Sequence, residues 1–87
     1  MVWTIEFSRS ALKDAPKLRS ANLAGKLKGL LAIIKCNPFE PPYEKLSGNL
    51  QGYYSRRINV KHRLVYSVDD ARKVIRVVSV WSHYERS

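Results

Sequence analysis

A small set of carboxylate, guanidinium and imidazole side chains in this chain can cleave RNA without a metal ion. Glu44 can take the proton from a ribose 2′-OH, and Arg56, Arg57 and Arg63 can hold the phosphate and stabilise its pentacoordinate transition state. His83 can protonate the departing 5′-oxygen, and Tyr84 can stack on a splayed base. Because this chemistry uses the hydroxyl of the substrate itself, it implies RNA rather than DNA.

Each of these residues also has an ordinary structural interpretation. Glu44 by itself is typical of a solvated loop acid, and His83 of a surface or structural histidine. Arg56 and Arg57 are neighbours on a predicted strand, so they point to opposite faces and one of them is expected to be structural. His62 is expected to be exposed at a turn. The residues alone therefore predict a small basic domain that binds an acidic or nucleic-acid partner.

The first part of the chain is predicted to form a strand and a helical hairpin. Val2 to Phe7 alternates between apolar and polar side chains, which indicates a half-buried strand. Ser8 and Ser10 are candidate N-caps for a helical apolar pattern that runs to about Lys35. Ser20-Ala21-Asn22 interrupts that pattern and is expected to supply a fresh cap. This predicts two helices, with Pro16 near the start of a turn or at a kink.

The second part is predicted to form a loop followed by three strands. Asn37 to Gly52 is predicted to be a loop that its prolines hold extended. The strand candidates are Tyr53 to Val60, His62 or Arg63 to Val68, and Val74 to Tyr84. This order predicts one α+β domain over residues 1–87, with a three-strand antiparallel meander, an antiparallel sheet and the helices packed on one face. The other face of such a sheet can stay open to a ligand.

The geometry of the predicted site depends on strand register. For Arg57 and Arg63 to share a face, the turn between their strands must contain an odd number of residues or a bulge. The pattern of the last strand does not say which side is buried, because both sides are largely apolar. The pairing register of these two strands therefore decides whether Arg57 and Arg63 lie on one face.

Charge and composition narrow the classes of partner. The 87 residues include 16 Lys and Arg against 7 Asp and Glu, a net charge of +9 that suits a polyanionic partner. One cysteine and two histidines are too few for a cysteine cluster or a typical zinc site, so no metal or other cofactor is expected. No apolar run approaches a membrane span, and the N-terminus shows no secretory pattern. A cytoplasmic location is the expectation.

The second half of the chain also carries a specific series of motifs. They are Asn37-Pro38-Phe39-Glu40, Tyr43-Glu44-Lys45-Leu46, Gly48-Asn49-Leu50-Gln51-Gly52-Tyr53-Tyr54-Ser55-Arg56-Arg57-Ile58, His62-Arg63-Leu64-Val65-Tyr66 and His83-Tyr84. Together they resemble the YoeB/Txe toxins of bacterial toxin–antitoxin modules, which belong to the RelE superfamily. The likeness is close over residues 37–84, whereas the first strand and the helices match in pattern more than in letters. It implies a RelE-like fold with the helices on one face of the sheet.

The resemblance implies a function and roles for individual residues. Toxins of this family are ribosome-dependent mRNA endonucleases that cut the codon in the ribosomal A site and inhibit translation. By this resemblance Glu44 is the general base, Arg63 stabilises the transition-state phosphate and His83 is the general acid. It also places at the RNA Tyr84, which orients a base, and Arg57, an auxiliary phosphate-binding arginine. Arg56 on the same strand and Lys45 beside Leu46 are further phosphate-binding candidates.

The resemblance also implies partners. These are a cognate antitoxin of YefM/Axe type with an acidic C-terminal segment, the ribosome and mRNA, and operator DNA only through the antitoxin complex; no membrane is involved. Homodimerisation stays open. Ser47 stands where relatives often carry a basic residue, and Glu85-Arg86-Ser87 extends the chain beyond the His-Tyr pair. The alternative function is a catalytically inactive module that binds nucleic acid or an antitoxin as a co-repressor.

Overall fold

The computed structural model describes residues 3–48 and 51–82, which form a five-strand sheet and two helices. In chain order the elements are β1 (Thr4–Phe7), α1 (Arg9–Ser20), α2 (Ala24–Cys36), β2 (Glu44–Lys45), β3 (Tyr53–Arg57), β4 (Arg63–Asp69) and β5 (Val74–Ser82). The strand order in the sheet is β1-β5-β4-β3-β2. The α+β class and the antiparallel meander of β3, β4 and β5 are confirmed. The prediction of a loop over Asn37 to Gly52 was incomplete, because this stretch contains the short edge strand β2.

The sheet is mixed rather than wholly antiparallel, which corrects the expectation for β1. This strand pairs in parallel with β5, with Thr4 opposite Val74 and Phe7 opposite Val77. A parallel pair requires a long crossover connection. The two helices and strands β2, β3 and β4 lie between β1 and β5 in the chain and supply that connection.

The ends of the helices follow from local capping groups. Ser8 Oγ accepts a hydrogen bond from the backbone N–H of Ala11 at 3.1 Å, which confirms Ser8 as the N-cap of α1. Asn22 has a φ of 62° and thus takes the left-handed conformation that ends many helices. The prediction that Ser20-Ala21-Asn22 would supply an N-cap for α2 was wrong, because α2 begins after Leu23 and has no side-chain hydrogen bond at its N-cap. Pro16 lies inside α1 rather than at a turn.

The core lies between the two helices and one face of the sheet. The helices contribute Ala11, Leu18, Leu27 and Ile34, all buried. Their partners from the strands and loops are Trp3, Ile58, Leu64, Tyr66, Ile75, Val77 and Val80. This confirms that the helices pack on one face of the sheet.

Strand β5 contains two irregularities where it pairs with β4. Tyr66 lies opposite Val77, but Val65 lies opposite Ser79 and Arg63 opposite Ser82, so β5 carries extra residues along this stretch. Such bulges change which side of the strand a residue faces. They explain why Ile75, Val77 and Val80 are all buried although they do not share one alternation. They also place Ser82 beside the backbone of Arg63.

Candidate active site

The carboxylate of Glu44 and the guanidinium of Arg63 meet on the face of the sheet opposite the helices. Edge strand β2 pairs with β3 so that Glu44 lies across from Ser55, which in turn lies across from Val65 on β4. Arg63 Nη1 donates to Glu44 Oε1 at 2.7 Å and to Ser55 Oγ at 3.1 Å. The Glu44 side chain is 61% exposed and that of Arg63 is 19% exposed. The structure thus holds an accessible carboxylate against an oriented, largely covered arginine.

Arg57 shares this face with Arg63, so the register condition set by the sequence is met. The two residues are direct partners across β3 and β4, and cross-strand partners point to the same side of a sheet. The Arg57 side chain is exposed. Two guanidinium groups on adjacent strands beside one carboxylate can contact a single phosphate and its neighbour.

The turn that sets this register spans residues 58–62, an odd count. Asn59 organises it, because its Oδ1 accepts from the backbone N–H of Lys61 at 2.9 Å and of His62 at 2.7 Å. The backbone N–H of Ile58 donates to the carbonyl of His62 at 2.9 Å and closes the turn. An asparagine that bonds to the backbone two residues ahead is a common turn device.

A pocket of about 360 Å³ adjoins these groups. Its polar lining includes Glu44, Arg56, Arg57 and Arg63, and its apolar lining includes Ile33 of α2, so the pocket reaches both faces of the sheet around the β2 edge. Pockets that bind small ligands combine an apolar wall with a few convergent polar groups in this way. The pocket can therefore take a group that is apolar at one end and anionic at the other, such as a nucleotide.

Arg56 is buried on the opposite face and is 3% exposed. Its Nε donates to Tyr66 Oη at 3.1 Å, and its two amino groups donate to the carbonyls of Pro42 at 3.1 Å, Pro38 at 3.4 Å and Glu40. The sequence placed Arg56 among the phosphate-binding candidates and also expected one arginine of the pair to be structural. The geometry favours Arg56 as the structural one.

Tyr66 completes this buried group. Its hydroxyl donates to the carbonyl of Pro38 at 2.8 Å and accepts from Arg56 Nε. Burial raises the pKa of the Tyr66 phenol above its ordinary value of 10.0, while the hydrogen bond and charge of Arg56 act in the opposite direction. The phenol therefore stays protonated and remains a hydrogen-bond donor near neutral pH.

Lys45 does not join Glu44 at the open face. It lies across from Tyr54, whereas Glu44 lies across from Ser55, and successive residues of a strand point to opposite sides. Its side chain is exposed and lines a second pocket, which also includes Ser47, Gly52 and Tyr53. Lys45 is accessible to solvent but separate from the Glu44–Arg63 pair.

His83 and Tyr84, the predicted general acid and stacking residue, lie outside the described residues. Ser82 is the last residue that the structure describes before them, and it pairs with Arg63. The extension Glu85-Arg86-Ser87 also lies outside that range.

Two features of the site were not anticipated from the sequence. His62 is buried rather than exposed, because its ring stacks on Trp81 with centroids 3.8 Å apart. Ser55, a hydrogen-bond partner of Arg63, was also missed. Its position two residues before Arg57 on the same strand face could have indicated it. The burial of His62 depends on the bulged register of β5, which no sequence pattern revealed.

Neither a metal site nor a membrane span is present in the described part of the chain. Within residues 3–48 and 51–82, no group of three His, Cys, Asp or Glu side chains is placed to hold a metal ion. Neither helix in that range is long and apolar enough to cross a membrane.

Comparison with known proteins shows close relatives over most of the chain. The family model described as "YoeB-like toxin of bacterial type II toxin-antitoxin system" matches residues 7–84. Toxin YoeB from Synechocystis sp. is 39% identical over 66 residues, which cover 74% of each chain. A solved YoeB/ParE toxin from Agrobacterium tumefaciens has a TM-score of 0.84 at 29% identity and covers 93% of this chain and 99% of its own.

The YoeB of Staphylococcus aureus has been solved in two assemblies. The structure of its dimer has a TM-score of 0.81 at 39% identity, with 97% of this chain and 100% of that chain covered. Its heterotetrameric complex with YefM has a TM-score of 0.78 at 40% identity, with the same coverage. The fold is thus that of the RelE-like toxins. Within that class, the chain belongs to the YoeB-like toxins of bacterial type II toxin–antitoxin systems.

Proposed function

We propose that this toxin is a ribosome-dependent mRNA endonuclease that cleaves the codon in the ribosomal A site without a metal ion. The observation that carries the proposal is the contact of 2.7 Å between Glu44 Oε1 and Arg63 Nη1, on a face that Arg57 shares. A base and a phosphate-binding cation on one face can act together on a 2′-hydroxyl and the adjacent phosphate.

Glu44 is proposed as the general base. Its carboxylate accepts the proton of the ribose 2′-hydroxyl, and the 2′-oxygen then attacks the adjacent phosphorus. The bond from phosphorus to the 5′-oxygen breaks, which leaves a 2′,3′-cyclic phosphate on one product and a 5′-oxygen that takes up a proton on the other. The exposure of the carboxylate supports this role, because the substrate must reach it.

Arg63 and Arg57 are proposed to hold the phosphate. A guanidinium offers five N–H donors in a plane, so Arg63 can bind non-bridging phosphate oxygens while Nη1 stays on Glu44. Ser55 Oγ fixes the orientation of Arg63 before the substrate arrives. Charge that develops on the pentacoordinate phosphorus is then stabilised by groups that need little rearrangement.

His83 and Tyr84 keep the roles that the family resemblance implies. His83 is proposed to donate the proton that the 5′-oxygen takes up, and Tyr84 to stack on a base of the codon. The support for both roles is the match of the His83-Tyr84 pair to the motif of the family. Lys45, which is exposed on the other side of β2, is proposed to contact RNA away from the reacting phosphate.

The proposed protein partner is a YefM-like antitoxin with an acidic C-terminal segment. The net charge of +9 and the exposed Arg57 favour such a segment, which would compete with RNA for the same cations. We propose that operator DNA is bound only through the antitoxin complex. The S. aureus relative was solved as a dimer, and we propose a homodimer for this chain in the absence of antitoxin.

The test is to add the purified toxin to ribosomes that hold a defined mRNA with an open A site. We expect a cut within the A-site codon and products with 2′,3′-cyclic phosphate ends, which are the ends that attack by the 2′-oxygen leaves. Naked mRNA under the same conditions is the control. Ribosome binding without a cut would support the alternative of an inactive nucleic-acid-binding module. Binding of antitoxin alone would support a co-repressor.

A further inference from the structure

Arg56 is buried at the centre of a group of hydrogen bonds, and no proposed catalytic step uses it. Its guanidinium donates to Tyr66 Oη and to the carbonyls of Pro38, Glu40 and Pro42, and all four acceptors are neutral oxygens. A buried cation is costly unless its donors are satisfied. This one is satisfied almost wholly by the backbone of one short segment, residues 38–42.

That segment leads directly into the proposed general base. Pro42 precedes Glu44 by two residues, and Glu44 lies on a strand of only two residues at the edge of the sheet. Two turn contacts to Asn37 also support the segment, from the backbone N–H groups of Phe39 and Glu40. Arg56 contacts three of its five carbonyls and links it to β3, the strand that pairs with β2.

Arg56 is poorly placed to bind RNA phosphate. It points away from the face that carries Glu44, Arg57 and Arg63, because it lies next to Arg57 on the same strand. To reach a phosphate, its guanidinium would have to leave four acceptors and uncover a buried side chain. Arg57, which is exposed beside Arg63, already supplies that charge.

We infer that Arg56 is a positioning residue, which clamps segment 38–42 and thereby fixes Glu44 against Arg63 and the substrate. The inference rests on the proposed function in one respect, that Glu44 is the general base. The clamp itself is a property of the fold. A displacement of about 1 Å in a reacting group can lower a rate by roughly 100-fold, so the clamp has a measurable consequence.

The first test is kinetic and uses Arg56→Lys, which keeps the charge but cannot reach four acceptors at once. We expect kcat for cleavage on programmed ribosomes to fall by roughly 10- to 100-fold with KM nearly unchanged. Ile75→Val, a change in the buried core that removes no hydrogen bond of Arg56 or Tyr66, is the control for a general loss of stability. Equal loss of kcat in both variants would overturn the inference, as would a rise in KM alone.

A double-mutant cycle separates positioning of the base from a direct role. If Arg56 acts through Glu44, then adding Arg56→Lys to Glu44→Gln should slow cleavage by less than about twofold beyond Glu44→Gln alone. A full multiplication of the two losses would show that Arg56 acts independently of Glu44 and would overturn the inference.

The second test does not depend on activity. Amide hydrogen exchange should accelerate in Arg56→Lys at Glu40, whose N–H donates to Asn37, and at Leu46, whose N–H donates to Tyr53. Exchange in β4 should stay unchanged. Unaltered exchange at Glu40 and Leu46 would refute the clamp even if the toxin proves to have no nuclease activity. Conversely, accelerated exchange in a toxin that does not cleave would refute only the proposed function.

A second variant covers the case in which Arg56→Lys does not fold. Tyr66→Phe keeps the guanidinium and its three carbonyl contacts but removes the hydroxyl that joins Arg56 to Pro38. We expect the same pattern of exchange and a smaller fall in kcat, roughly 2- to 10-fold. Unchanged exchange and unchanged kcat in this variant would count against the inference.

Discussion

Replacement of Glu44 by glutamine should remove catalysis and leave the fold nearly untouched. The Glu44 side chain is 61% exposed and its ion pair with Arg63 lies at the edge of the sheet. Exposed ion pairs contribute about 0–1 kcal/mol to folding, and glutamine keeps an oxygen that can accept from Arg63. We therefore expect the free energy of unfolding to fall by less than about 1 kcal/mol.

The expected loss of activity in Glu44→Gln is much larger. Loss of a general base lowers rates by roughly 10²- to 10⁴-fold, which corresponds to about 3–5 kcal/mol in the activation free energy. The assay is the single-turnover rate of cleavage on programmed ribosomes, measured alongside urea unfolding. Glu6→Gln is the matched control, because Glu6 is an exposed acid on β1 at the far edge of the sheet. Cleavage within about threefold of wild type would refute the role of Glu44.

Three further outcomes are expected. His83→Gln should fold normally and lose roughly 100-fold or more in the single-turnover rate, and an unchanged rate would remove His83 from the mechanism. Arg63→Lys should lose most of its cleavage activity in the same assay although it keeps its charge. The reason is that a lysine ammonium cannot reproduce the planar arrangement of N–H donors in a guanidinium. Tyr66→Phe should lower the free energy of unfolding in urea by about 1–3 kcal/mol. Because burial raises the pKa of Tyr66, the contribution of its phenol to the free energy of unfolding should be complete below about pH 10 and decline as the pH rises above that value. Tyr66→Phe should not show this decline.

Much of the fold could be predicted because local patterns determine it. The alternation of β1, the cap at Ser8 and the three-strand meander were all visible in the sequence. The two-residue strand at Glu44 was not, because two residues are too short to show an alternating pattern. The parallel pairing of β1 with β5 depends on the arrangement of the whole chain rather than on either strand alone.

The site was predictable in its residue types but not in its geometry. The shared face of Arg57 and Arg63 depends on the five residues that Asn59 folds into a turn, and the sequence left that count open. The stacking of His62 on Trp81 depends on bulges in β5, which arise from packing and leave no periodic signal. Arg56 and Arg57 were indistinguishable as neighbouring letters, and only their surroundings separate a buried clamp from an exposed cation.

The most direct measurement uses a ribosome-bound mRNA in which the nucleotide before the scissile phosphate carries a 2′-deoxyribose. Glu44 has nothing to deprotonate in this substrate, while Arg57 and Arg63 can still bind the phosphate. We expect the toxin to bind this programmed ribosome with unchanged affinity and not to cut the mRNA. Cleavage of the deoxy substrate at the same position and rate as the all-ribose mRNA would refute attack by the 2′-oxygen.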